Sequence, residues 1–219
     1  MNWILIIVCI AVVIGLLLPL AQKQIVYKKL TKYLEQGKYK EFEKLLDGFW
    51  CTFSYRPFNR EFMRLNAYFM QNDAKRIQKQ LDNLFENIKM NDEQKSSVAK
   101  QAFYLYMEQK KYAQAKKMLD ICQAHDTNKN EIETMQIMYS ILGERKSEHI
   151  RDIKAQLEPL QKEKDAYTNP AKRVRIGVFE YLIGLQYLYM NNKKSKEYLN
   201  NALQHCKGTT YEAQIQALL

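Results

Sequence analysis

Reactive chemistry would first show in this sequence as spaced cysteines, histidines and carboxylates, and such spacing is sparse. Cys122 and His125 have a possible ligand separation, and His205 with Cys206 could complete a set. A closed metal site needs two spaced pairs, and no second pair accompanies the first, so we read packed cysteines and surface histidines. Glu41 with Glu43 and Asp92 with Glu93 read as helix-surface or capping carboxylates. The chain holds no Gly-rich phosphate loop, no Gly-x-Ser-x-Gly and no His-Glu-x-x-His. The expectation is a chain that is not an enzyme and binds no metal or cofactor.

Charge offers other chemistry. The net charge is +10, and it is uneven: 20 basic residues face 12 acidic ones from Gln22 to Asp120, against 14 and 12 from Ile121 onward. Most of these lysines read as solvated helix faces. Anionic lipid headgroups would attract the basic half at about 1 kcal/mol per well-placed residue. Lys172, Arg173 and Arg175 form the best cluster for nucleic acid. The aromatics, however, fall in helix stripes and not between the basic residues as a base-stacking platform would require, which argues against that partner.

The elements that must position these groups are helices. Only 7 Gly and 4 Pro punctuate 219 residues, and no alternating β-branched run is bounded by hairpin turns, so the fold class is all-α. Ala99, Ala102, Phe103, Tyr106 and Met107 recur at three- and four-residue steps, the one-sided stripe of an amphipathic helix. After the turn at Gln109 to Lys111, Tyr112, Ala115, Met118, Leu119 and Cys122 form a second stripe able to close on the first.

Trp3 to Leu20 has no charge over 18 residues, about 27 Å of helix, enough to cross a hydrocarbon core. Residues 1–22 are therefore expected to be a membrane anchor, with Trp3, Ile4 and Leu5 at one end and Leu16, Leu17 and Leu18 at the other. A secretory signal would carry basic residues before the apolar run, and Met1-Asn2 has none. Val8 before Cys9 does not suit lipidation. Lys23, Lys28, Lys29, Lys32, Lys38 and Lys40 follow closely, so the positive-inside tendency places the bulk of a single-pass cell-membrane protein in the cytoplasm. Scattered Cys51, Cys122 and Cys206 are compatible with that compartment.

Residues 23–219 read as one repeat domain. Tyr33 to Asp47, YLEQGKYKEFEKLLD, Tyr68 to Asp82, YFMQNDAKRIQKQLD, and Tyr106 to Asp120, YMEQKKYAQAKKMLD, share the order Tyr, polar turn, helix, Leu-Asp. The tyrosines stand 35 and 38 residues apart, and a fourth copy is expected around Tyr139, 33 further on. The chain pattern breaks at Cys51 to Pro57, whose aromatics are expected to pack under the array, with an exposed contact as the alternative. Asn91 with Gln94, Asn130 with Glu133, and Thr209 with Glu212 are spaced as reciprocal helix caps. A helix is expected over 146–163, bent or ended by Pro159, followed by a linker over 164–169 and a dense apolar helix over 174–190. Arg175, Glu180 and Gln186 interrupt that last helix too often for a second membrane span.

Tyr, then Ala nine residues on, then Leu four further, as in Tyr106, Ala115 and Leu119, resembles the tetratricopeptide repeat (TPR), a helix-turn-helix unit of about 34 residues. The same places hold Tyr33, Phe42 and Leu46, and Tyr68, Ile77 and Leu81; Ser195, Leu199 and Ala202 match the second helix of a later copy. The family's early Trp, its Leu-Gly pair and its closing Pro are mostly missing, and other stacked helix-pair arrays share the bare period. The resemblance implies a right-handed α-α superhelix, a TPR-like solenoid behind one transmembrane helix. It also implies an adaptor or scaffold that binds a protein or peptide in a concave groove, here lined by Phe62, Asn66, Phe69, Lys100, Tyr104 and Met107 and suited to an extended, acidic segment. A membrane-apposed enzyme subunit and a self-associating structural protein are the alternatives.

Overall fold

The computed structural model describes residues 22–219 and contains twelve helices and no strand among them. The anchor residues Trp3, Ile4, Leu5, Leu16, Leu17 and Leu18 lie outside the described residues. None of the described helices is long and apolar enough to cross a membrane. The described residues divide into two compact units, with the division between Val98 and Ala99.

The first unit holds α1 (22–35), α2 (Tyr39–Leu46), α3 (Phe49–Ser54), α4 (Pro57–Met70) and α5 (Ala74–Asn87). Val26 and Leu30 from α1 meet Phe42 and Leu46 from α2, Cys51 and Tyr55 from the α3 segment, and Ala67 from α4 in one core. Helix α6 (Asp92–Glu108) follows and carries the division between the units. Its start is the expected reciprocal cap: the Asn91 amide donates to Gln94 Oε1 at 3.1 Å, and the Gln94 amide donates to Asn91 Oδ1 at 2.8 Å.

The second unit continues with α7 (Tyr112–His125), α8 (Lys129–Leu142), α9 (Ile150–Gln161), α10 (Pro170–Tyr189), α11 (Lys194–His205) and α12 (Thr210–Gln216). Helix α10 is its centre, buried at nearly every position from Ile176 to Tyr187 and packed against α8, α9 and α11. Pro170 opens it, where a missing N–H costs nothing, and Asn169 Oδ1 accepts from the Ala171 and Lys172 amides at 3.0 and 3.3 Å. Gly177 and Gly184 let α11 approach. A Cβ on Gly177 would stand 2.6 Å from Cys206 Sγ, and one on Gly184 would stand 2.9 Å from Leu199 Cγ.

One turn recurs. Gly37, Asn72, Lys110 and Asn191 all have left-handed φ, at 66°, 51°, 57° and 52°. Each stands four residues after a tyrosine: Tyr33, Tyr68, Tyr106 and Tyr187. In every case the tyrosine carbonyl accepts from the amide five residues on, at 2.8, 3.2, 2.8 and 2.9 Å. The next carbonyl accepts from the left-handed residue's own amide at 3.0 to 3.1 Å. This pair of bonds is the Schellman closure, which satisfies carbonyls that a helix end leaves without partners. Across each turn the frame positions are buried: Phe42 and Leu46, Ile77 and Leu81, Ala115 and Leu119, Ser195 and Leu199.

Several expected boundaries move. The copy expected around Tyr139 lacks the shared turn: Gly143 has φ −88°, and the left-handed residue is Arg145. Tyr187 carries the frame in its place. The segment 51–57 is not a break throughout, because Phe49–Ser54 forms a short helix after extended Gly48; there Tyr55 packs while Phe53 stays 68% exposed. Helix α8 is capped at Asn128 and not Asn130, with Asn128 Oδ1 accepting from the Glu131 amide at 3.3 Å. Helix α9 starts at Ile150 and not at 146, since the His149 amide donates to the buried Gln186 Oε1 at 2.8 Å and the Lys146 amide is held by the Ser140 carbonyl at 3.0 Å. Pro159 sits in its last turn, and the helix ends two residues later. Glu212 reaches back to the Gly208 amide at 2.7 Å, one residue before the Thr209 of the expected cap.

Two outcomes test this packing. Lys110→Gly should stabilise the chain by about 0.5–1 kcal/mol, because glycine adopts positive φ without the side-chain penalty, and Gly37→Val should cost about 1–2 kcal/mol. Urea unfolding midpoints measure both. Gly177→Ala and Gly184→Ala should each lose a net ~1–2 kcal/mol, since overpacking against α11 outweighs alanine's helix preference. That is a fall of a few degrees in Tm for a chain of this size, at about 2–4 °C per kcal/mol.

Candidate functional site

The second unit holds an open cleft of about 960 Å³. Three helices line it, each through residues on one face at helical spacing: Asn130, Glu131, Thr134 and Met138 on α8, Asp152, Ala155 and Gln156 on α9, and Arg175, Val178, Phe179 and Leu182 on α10. Tyr104 from α6 and Tyr211 from α12 complete the wall. Met138, Val178, Phe179 and Leu182 supply apolar surface. Amides and hydroxyls stand among them, from Asn128, Asn130, Thr134 and Gln156.

The rim is more acidic than basic. Glu131, Glu133 and Asp152 line the cleft against one guanidinium, that of Arg175, which lies 5.5 Å over the Phe179 ring. Lys100 is engaged: its ammonium is 2.7 Å from Asp126 Oδ2 and 2.7 Å from Glu131 Oε2. Burial works to lower its pKa, but these two carboxylates outweigh burial and raise it above the ordinary lysine value. Asp126 in turn accepts from the Asn128 amide at 2.8 Å, so Lys100 orders the loop that opens α8. Burial raises both phenols of the wall, Tyr211 to about 12, which keeps them protonated as hydrogen-bond donors at neutral pH.

The residues expected to line a groove fall in both units. Phe62, Asn66 and Phe69 lie half-buried on α4 of the first unit, where Phe62 stacks on Phe58 with centroids 5.4 Å apart. In the second, Lys100 and Tyr104 sit one helical turn apart on α6, and Tyr104 is 41% exposed in the cleft wall. Met107 is buried and faces a separate hollow of about 610 Å³ beside Tyr112, Tyr181 and Tyr189. The α8, α9 and α10 contributors escaped sequence reasoning. Their signal was present in the spacing 175, 178, 179 and 182, hidden because the whole of 174–190 is apolar enough to read as buried all round.

A second cluster has the residue types of a catalytic site. Glu180, on α10, is 4% exposed, and its Oε2 lies 2.6 Å from His205 Nδ1; Cys206 adjoins His205 in sequence. The geometry is structural. Cys206 is fully buried, its thiol raised by burial to about 11 and turned to the Val174 carbonyl at 3.9 Å, so it is a poor nucleophile. Tyr167 covers the imidazole with ring centroids 5.2 Å apart. Among the described residues no group of three or more His, Cys, Asp or Glu is placed to hold a metal ion. Lys172, from the basic cluster, is spent on Glu163 and Asp165, at 2.5 and 2.6 Å.

Burial raises the Glu180 carboxyl above its ordinary 4.5, and the hydrogen bond from His205 only partly opposes it. The folded chain therefore holds this proton more tightly than the unfolded chain. Its contribution to stability is complete below about pH 4.5 and is lost as pH rises through the folded-state value. Glu180→Gln cannot ionise, so its Tm relative to the parent should climb as pH is raised from 4.5 towards neutrality. Parallel Tm curves across that range would contradict the assignment.

Compared with models of protein families, with curated proteins and with solved structures, the chain matches none.

Proposed function

We propose that this chain is a membrane-anchored, TPR-like adaptor or scaffold that binds a segment of a protein partner at the cytoplasmic membrane surface. Residues 3–20 supply the anchor, and stacked helix pairs in a right-handed solenoid supply the binding frame. The observation that carries the reading is the α8–α9–α10 cleft, an apolar floor with amides and hydroxyls placed among its walls. That combination suits a peptide or helix: apolar side chains anchor in the floor while the amides take its polar groups. Support for the repeat frame comes from the turn shared after Tyr33, Tyr68, Tyr106 and Tyr187.

The sequence pointed to an extended, acidic segment on a groove surface that includes Lys100. With Lys100 committed to Asp126 and Glu131, the rim carboxylates favour a partner segment that carries basic residues beside an apolar anchor. Anionic lipid near the basic first half adds to membrane retention.

Site-specific photocrosslinking in intact membranes tests the proposal, with p-benzoylphenylalanine at Tyr104. Discrete adducts to a partner protein are expected, and Glu133→Lys with Asp152→Lys should reduce them about tenfold, a loss of about 1.4 kcal/mol. Adducts of the same yield in that double variant, or none at all from Tyr104, would overturn the cleft as the binding surface.

A further inference from the structure

Helix α3 leaves three large aromatic residues outside the core. Phe49 is 71% exposed, Trp50 49% and Phe53 68%. A single exposed aromatic needs no explanation, but these adjoin one another: the Phe49 and Trp50 centroids are 5.3 Å apart, and Phe49 and Phe53 stack at 6.1 Å. The helix is not loosely attached. Cys51 is fully buried in the core of the first unit, and Arg60 Nη1 donates to Thr52 Oγ1 at 3.1 Å. Positions 49, 50 and 53 therefore form a fixed apolar face that no described residue covers.

The place of this face in the chain indicates what covers it. Tyr55, at the end of α3, donates its hydroxyl to the Lys23 carbonyl at 3.0 Å, and the Lys23 ammonium lies 5.4 Å over the same ring. Lys23 stands three residues after Leu20, where the uncharged run of 18 residues ends. Three residues span at most about 11 Å, and the polar layer on each side of a bilayer core is roughly 5–8 Å deep. The Tyr55 bond thus holds α3 within reach of the interface at which that run would leave a bilayer. Lys23, Lys28, Lys29 and Lys32 on α1 are exposed, and no acidic residue occurs between 22 and 34.

We propose that α3 is a second membrane contact, with Phe49, Trp50 and Phe53 seated in the headgroup layer of an anionic bilayer beside the α1 lysines. Tryptophan and phenylalanine on a short amphipathic element, flanked by lysines, have the composition of an interfacial contact. Two attachments would fix the first unit's orientation against the bilayer, which one span cannot do. This inference rests on the reading of residues 3–20 as a bilayer span.

The full-length chain with Trp3→Phe keeps Trp50 as its one tryptophan, since the sequence has two. It is reconstituted into vesicles of phosphatidylcholine and phosphatidylglycerol whose acyl chains carry bromine at shallow or deep positions. Trp50 emission should be blue-shifted, quenched more by shallow than by deep bromines, and protected several-fold from aqueous acrylamide. Phe49→Ser with Phe53→Ser, both exposed positions, should restore acrylamide access. Free quenching by acrylamide with none by bromolipid would overturn the proposal. Protection from both quenchers would also overturn it, because a protein surface would then cover the face. Alkaline carbonate extraction of the same vesicles reports on the span separately: bromolipid quenching in a chain that carbonate removes would sink the anchor and keep the α3 contact.

Discussion

The carbonyls at the end of a helix have no amide ahead of them, and a chain built of short helices meets that difficulty many times over. Here four helices solve it in the same way, with a left-handed residue four places after a tyrosine and two backbone bonds that turn the chain back. Everything in the frame follows from that closure. The following helix begins at a fixed distance, and the positions eight or nine and twelve or thirteen residues after the tyrosine fall on its buried side. Where the closure changes, as after Tyr139, the connection lengthens and the next helix starts later than its sequence suggests.

Left-handed backbone favours glycine, yet only one of the four turns has it. Asn72 and Asn191 tolerate the conformation through their short polar side chains, while Lys110 has no such help. The second turn is reinforced from outside: Arg76 bonds Asp73 at 2.6 Å and Gln71 at 2.8 Å and lies 4.9 Å over the Tyr68 ring. These turns thus draw on two sources, the preference of the residue in the left-handed position and, at the second, bonds from a side chain of the helix that follows.

The same contrast explains what the sequence revealed. Helix class, the stripes around Phe103 and Leu119 and the Asn91 cap are encoded within a few residues of where they act, so they were legible. The start of α9 was not, because it depends on Gln186, a residue 37 positions from His149. Phe53 departs from the expected packing for a related reason: hydrophobicity says that a side chain avoids water, but not what supplies the alternative. The cleft was partly legible. Tyr104, named from the sequence as a groove residue, stands in its wall, but the role of Lys100 depended on Asp126 and Glu131, which no local pattern linked to it.

The Glu180 and His205 pair ties α10 to α11 within an apolar layer. A slip of one turn, about 5.4 Å, would part the buried carboxylate from His205 and leave it only the long contact from Gln161 at 3.5 Å. The buried pair therefore works as an indexing pin: it adds little to how firmly the two helices hold together, but it selects the single alignment in which they do.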